Sequence, residues 1–303
     1  MKIKVRVPAT SANMGPGFDS MGIALNLYNH VTVEDMGTGL VIDIPDDITS
    51  KFLAKDERNL VYVSMKSVFD KVAYHPRGLH IVLENNIMVT RGLGSSSAGI
   101  ISGLVAANEM TGRQLSKDDL LSMAAEIEGH ADNVTPALLG GFTINVKQDN
   151  SIKYVKTDVK DDLRFAAFVP DFFLQTKKAR SVLPRSVSMK DAVYNTGRSA
   201  LLAASIISGK YDNIRAAVGD KLHQRYRKRL IPGMDDIFKY SYQNNALGVY
   251  LSGAGPTIVS IIHGDNREFE NKMRTFLSEN MQNWQLYMLR ADNCGAKVIE
   301  ISK

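Results

Sequence analysis

The segment Arg91-Gly92-Leu93-Gly94-Ser95-Ser96-Ser97-Ala98 decides the reading of this chain. Two glycines open backbone conformations closed to bulkier residues, and three serines supply hydroxyls. The run feeds a helical stretch, residues 98–110, that stops at Gly112 and aligns Ile100, Ile101, Leu104 and Val105 on one face. A helix N-terminus with free N–H groups is an anion site, and phosphate is its usual occupant. The segment lacks the Gly-Lys-Ser/Thr ending of a Walker loop and the spacing of G-x-G-x-x-G, so the ordinary P-loop and dinucleotide folds lose support. Taken alone, it also fits a glycine turn capped by serine.

Upstream, residues 2–7, 29–34, 40–44 and 79–83 read as strands, and residues 59–72 as a helix. Downstream, Ser116-Lys117-Asp118-Asp119 has the form of a capping box. The helix it opens buries Leu120, Met123, Ala124 and Ile127 and ends at Gly129. The second half has another rhythm. Strands are expected at 165–169, 247–251, 257–262 and 298–301, with helices at 189–208 and after Asp265-Asn266-Arg267-Glu268. That order, β-α-β-β-α-β with inserted helical material, is the split βαβ, ferredoxin-like pattern. Lys and Asp accumulate without hydrophobic periodicity near 155–162, which predicts a boundary and two domains, 1–160 and 161–303.

With 303 residues and 44% hydrophobic content the chain can bury a substantial core. One cysteine, Cys294, excludes an internal disulfide and is compatible with a reducing, cytoplasmic setting. The opening MKIKVRVPAT alternates as a strand does, unlike a signal peptide. The apolar stretches are interrupted and too short to span a bilayer, so no membrane association is expected. A net charge of +5 suits an anionic small molecule. The basic run from His223 to Arg229 reads as a solvated helix face, with nucleic-acid binding a poor second.

Two more segments carry chemistry in combination. Pro8-Ala9-Thr10-Ser11-Ala12-Asn13-Met14-Gly15-Pro16-Gly17-Phe18-Asp19 is a rigid loop after a strand, presenting Asn13 and Asp19. Ser252-Gly253-Ala254-Gly255-Pro256-Thr257 joins two strands through glycine-permitted dihedrals. With Arg91–Ala98 these resemble, in order and separation, the three signature motifs of the GHMP kinases, the galactose, homoserine, mevalonate and phosphomevalonate kinases. The resemblance covers essentially the whole chain. The opening PATSANMGPGFDSMGIAL, the run Glu126–Pro136, residues 176–184, and Tyr226-Arg227 before Leu230-Ile231-Pro232-Gly233 resemble its homoserine-phosphorylating branch. One departure is Met88-Val89-Thr90-Arg91, where the family commonly carries proline.

The resemblance implies an α+β fold, with an N-terminal α/β domain holding the phosphate loop and a C-terminal ferredoxin-like domain. It implies ATP and Mg²⁺ as cofactors, L-homoserine as substrate on the way to threonine, and a homodimer. Met88, Val89, Thr90, Arg91, Gly92, Leu93, Gly94, Ser95, Ser96, Ser97 and Ala98 should line the phosphates, with Asn59 near the adenine nucleotide. Ser96 and a glutamate should hold the metal. Glu126 and Glu128 are both candidates; at about 100° per residue they lie ~200° apart, and both flank the apolar face, so the wheel does not choose. The family match favours Glu126. Arg180 and Arg227 match the arginines that take the substrate carboxylate, Asn13 and Asp19 the acceptors of its ammonium, and His130, Asp132, Asn133 and Thr176 the rest of the pocket. Asn133 is placed beside the reacting hydroxyl. Asp132 is the alternative base, or else is held by a backbone N–H near the turn. A mevalonate-type kinase is the competing reading, and it would leave the ammonium acceptors without a partner.

Overall fold

The computed structural model describes residues 1–46 and 49–302. In chain order the elements are β1 (Lys2–Ala12), β2 (Met21–Asp35), β3 (Gly39–Asp43), α1 (Leu60–Lys71), β4 (Gly78–Glu84), α2 (Ser95–Met110), α3 (Lys117–Glu128), α4 (Val134–Leu139), β5 (Phe142–Gln148) and β6 (Ser151–Thr157). There follow β7 (Leu163–Pro170), α5 (Thr176–Ser181), α6 (Met189–Ser208), α7 (Ile214–Ala217), α8 (Gln224–Arg227), α9 (Met234–Gln243), β8 (Gly248–Leu251), β9 (Ile258–His263), α10 (Arg267–Asn280), β10 (Trp284–Leu289) and β11 (Lys297–Ser302).

The first sheet has seven strands, ordered β11-β1-β2-β4-β3, with β5 on β2 and β6 on β5. Alternation along β1 buries Ile3, Val5 and Val7 on the inner face. Helix α2 is buried around most of its circumference, because α1, α3, α4 and β1 all pack on it. At Gly103 a Cβ would strike the Val61 carbonyl, so glycine is what lets α1 come so close. The capping box at Ser116 and Asp119 forms as expected.

The second sheet runs β10-β7-β9-β8, all antiparallel, the strand order of a ferredoxin-like split βαβ unit. It is a wall between two cores. Phe165, Ala167 and Val169 of β7 face the first, while Ala166 and Phe168 face the second. Burial on both faces explains why this strand reads as a continuous apolar run.

Three expectations need correction. The fourth strand of the second sheet is β10, not residues 298–301. Those residues are a strand, β11, but it pairs antiparallel with β1 in the first sheet. The segment 161–303 therefore gives its last strand back to the first domain. Finally, the stretch 155–162 begins inside β6, an edge strand with exposed Lys153 and Val155; its solvated face erases the hydrophobic alternation.

Candidate functional site

The three glycine-bearing segments meet. Strand β1 continues to Ala12, so half of the expected first loop is strand, and Thr10 N–H donates to Leu93 O at 3.1 Å. Thr257 N–H reaches Arg91 O at 3.1 Å, Gly253 N–H reaches Ala12 O at 3.0 Å, and Ser252 Oγ donates to Gly92 O at 2.6 Å. Gly92 has φ 81°, and a Cβ there would lie 2.6 Å from Ser252 O. Glycine is thus required by conformation and by space. Below them lies one cleft of about 470 Å³.

One end of the cleft is built from backbone. Gly94 N-caps α2 in the left-handed region at φ 68°, leaving the N–H groups of Ser95, Ser96 and Ser97 without intrahelical partners. Ser96 Oγ donates to Glu128 Oε1 at 2.6 Å and Ser97 Oγ to the same oxygen at 3.0 Å. Glu126 is exposed and absent from the cleft lining, which includes Glu128. Glu128, and not the favoured Glu126, is the glutamate that reaches Ser96. Glu128 is the last residue of α3, and its carboxylate meets the positive end of α2; Glu126 sits around the helix. A hydroxyl and a carboxylate oxygen are hard donors that suit Mg²⁺, which typically completes its shell with phosphate and water. Among the described residues no group of three or more His, Cys, Asp or Glu is gathered as a metal site.

Of the expected phosphate loop, Val89, Thr90, Gly92, Gly94, Ser95 and Ser96 line the cleft. Met88 packs on the first core, Leu93 and Ala98 are inside it, and Ser97 is buried. Arg91 also turns away: its Nε donates to Pro170 O at 2.8 Å, Nη2 to Asp171 O, and the guanidinium stacks over Phe173. A tight turn cannot aim successive side chains into one cavity, so Arg91 ties the loop to the end of β7 instead. Asn59 lines the cleft beside Phe52, Leu53 and Val61, but its amide caps α1 and bonds Ala54 O at 2.6 Å.

The other end is built from side chains. Asp19 and Arg180 form a bidentate pair, at 2.7 and 3.1 Å. The expected anion and cation binders thus partner each other, with the pair about a third exposed at 38% and 36%. Arg227 differs, being 1% exposed, and burial, with Arg180 nearby, brings its guanidinium down to about 10. Nε donates to Ala179 O at 3.2 Å and Nη1 to Gly253 O at 2.9 Å. Asn13 Nδ2 donates to Gly253 O at 2.8 Å, while its Oδ1 accepts Asp19 N–H at 2.9 Å. Thr176, first residue of α5, is exposed at the rim.

Between the ends stand His130, Asp132 and Asn133. Asp132 is 3% exposed, and its Oδ1 lies 2.8 Å from His130 Nδ1. The hydrogen bond to Asp132 raises the His130 imidazole above its ordinary value. The partners of Asp132 are therefore side chains, His130 and, at 3.4 Å, the Asn133 NH₂, not the backbone N–H expected for an Asp near a turn. Asn133 Oδ1 accepts from Thr10 Oγ at 2.7 Å, which turns the amide NH₂ away from Thr10. Thr10 was not singled out by sequence, since nothing local signals a partner 123 residues away.

The chain matches the family model for the GHMP kinases N terminal domain over residues 59–141 and that for GHMP kinases C terminal over 199–279. A homoserine kinase of Clostridium botulinum (strain Alaska E43 / Type E3) is 49% identical over 300 residues, covering 98% of this chain and 99% of its own. The crystal structure of homoserine kinase from Cytophaga hutchinsonii superposes with a TM-score of 0.89 at 32% identity, covering 98% of this chain and 97% of that one. The L. major mevalonate kinase, at 14% identity and TM-score 0.72 over 94% of each chain, shares the fold.

Proposed function

This chain belongs to the GHMP kinases, and from that premise we infer that it phosphorylates the side-chain hydroxyl of L-homoserine with ATP, giving O-phospho-L-homoserine and ADP. The observation that carries the reading is the opposition within one cleft. A helix N-terminus with free N–H groups lies at one end, and a guanidinium–carboxylate cluster fit for a zwitterion lies at the other.

The N–H groups of Ser95–Ser97 donate to phosphate oxygens, and Ser96 and Glu128 would hold Mg²⁺. Bound there, the ion would offset negative charge on the phosphoryl group. Arg227 takes the substrate carboxylate, since a buried guanidinium with unspent donors needs an anion. Arg180 joins it once its pair with Asp19 is shared with the substrate, whose ammonium then faces Asp19 and Asn13.

Asn133 aims the hydroxyl through its NH₂. An amide is no base at neutral pH, and the Asn133 oxygen is already occupied by Thr10. Loose transition states need little early deprotonation. The hydroxyl oxygen bonds to the γ-phosphorus as the bridging P–O bond breaks, and its proton passes to a phosphoryl oxygen. Asp132 holds His130 in place and is not required as a base.

A coupled ADP-release assay with Mg-ATP tests the reading. Turnover on L-homoserine should far exceed that on mevalonate, which has a carboxylate but no ammonium. Equal or better turnover on mevalonate would overturn it.

A further inference from the structure

We propose that His223 is a positioning residue for substrate binding, joining the loop that carries Asn13 and Asp19 to the guanidinium of Arg227. The proposal rests on the reading of Arg227 as the carboxylate binder.

His223 is fully buried at 0% exposure and lies in none of the three glycine-bearing segments. Its Nε2 is 2.8 Å from Gly15 O, and its Nδ1 is 3.2 Å from Arg227 Nη1. A carbonyl only accepts and a guanidinium only donates. Nε2 must therefore carry the proton, and Nδ1 must present its lone pair. A protonated ring would set an N–H against the guanidinium N–H, so the pair of contacts requires the neutral ring. Burial in the same place lowers the imidazole, against Asp220, whose Oδ2 lies 3.7 Å from Nε2.

The ring is held from behind. Asp220 Oδ2 accepts the N–H groups of His223 and Gln224 at 3.0 and 2.7 Å, and Oδ1 accepts that of Leu222 at 2.9 Å. The turn before α8 is thus fixed by one carboxylate. In front, His223 stacks on Phe18 at 5.2 Å, and the guanidinium carbons of Arg180 and Arg227 sit 5.6 and 5.4 Å from that same ring. With Ala179 O and Gly253 O, Nδ1 completes three acceptors from three chain segments around Arg227. Together they fix which donors of the fork remain for a carboxylate.

Two substitutions separate the two nitrogens. In His223→Asn the amide oxygen can replace Nδ1 as acceptor for Arg227; in His223→Gln the amide NH₂ can replace Nε2 as donor to Gly15 O. Both lose the stack on Phe18, so that loss cancels in the comparison. His223→Gln should raise KM for homoserine on the order of tenfold, as expected for a lost hydrogen bond to a charged group. KM for ATP should stay within about twofold, and His223→Asn should stay within about threefold of wild type for homoserine. Equal effects of the two variants, or an equal rise in KM for ATP, overturn the proposal. ¹⁵N NMR of the wild-type imidazole adds an arm independent of how the variants fold: a protonated Nδ1 overturns it, and a protonated Nε2 supports it. Arg227→Gln separates the two levels. Unchanged KM for homoserine there removes the substrate assignment and this proposal with it. A large rise there, with wild-type KM in His223→Gln, overturns only the positioning role.

Discussion

The two ends of the cleft present charged and polar groups by different means, and the reading proposed above gives phosphate to one and the amino-acid substrate to the other. The phosphate end uses N–H groups of one helix, a left-handed glycine cap and a serine–glutamate contact between adjacent helices. The other end gathers Asp19 and Asn13 from the loop after β1, Arg180 from α5 and Arg227 from α8, with His130, Asp132 and Asn133 from the turn before α4 at the junction. The helix start of the first is written in consecutive residues, while its glutamate arrives from a neighbouring helix. The second exists only when distant segments arrive together, and each arrival is fixed by contacts that are not catalytic. The phosphate end should therefore tolerate no change in its few parts, while the substrate end should show graded losses.

The largest effect is expected where the phosphate end depends on one side chain. Glu128→Ala should lower kcat on the order of a hundredfold, the scale for losing a key electrostatic contact in a phosphoryl-transfer site. Glu126→Ala should leave kcat near wild type and serves as the matched control. The comparison breaks if a Mg²⁺ titration of kcat finds the Glu126 variant crippled and the Glu128 variant normal.

A smaller effect is expected at the junction of the two ends. Asp132→Asn should retain activity within about tenfold of wild type, because it removes a partner of His130 and no general base. The pH profile of kcat should keep its acidic limb. A loss beyond about a thousandfold, with homoserine binding intact, would assign Asp132 as the base and merge the junction with the chemistry.

The smallest effect is one of stability. His130 has its imidazole raised by the hydrogen bond to Asp132, so the charged form favours the folded state. The contribution is complete below the ordinary value of 6.5 and is lost as pH rises through the elevated folded value. The Tm gap between wild type and His130→Gln, followed from about pH 5 to about pH 8, should narrow as pH rises. A gap that widens with pH would place the neutral imidazole as the stabilising form and detach His130 from Asp132.

What sequence determined by itself is local in origin. Residues Arg91–Ala98 specify a helix start with free N–H groups suited to an anion, because glycine dihedrals and unpaired N–H groups act within one turn. The capping box at Ser116, helix α6 with the expected limits Met189 and Ser208, and the strands expected at 2–7, 29–34, 40–44 and 79–83 were legible for the same reason: period, caps and breakers are short-range, whereas β5 and β6 of the same sheet went unread. Tertiary structure alone decided the rest. Glu128 prevails over Glu126 because the end of α3 abuts the start of α2, which no helical wheel contains. Strand β11 leaves its neighbours in sequence to pair with β1, since strands of either domain look alike until partners are chosen. Arg91 leaves the phosphates for carbonyls at the end of β7, Thr10 takes the oxygen of Asn133, and His223 comes to lie between Gly15 and Arg227. In each case the partner lies on a different element, and a hydrogen bond between elements leaves no periodic trace in either one.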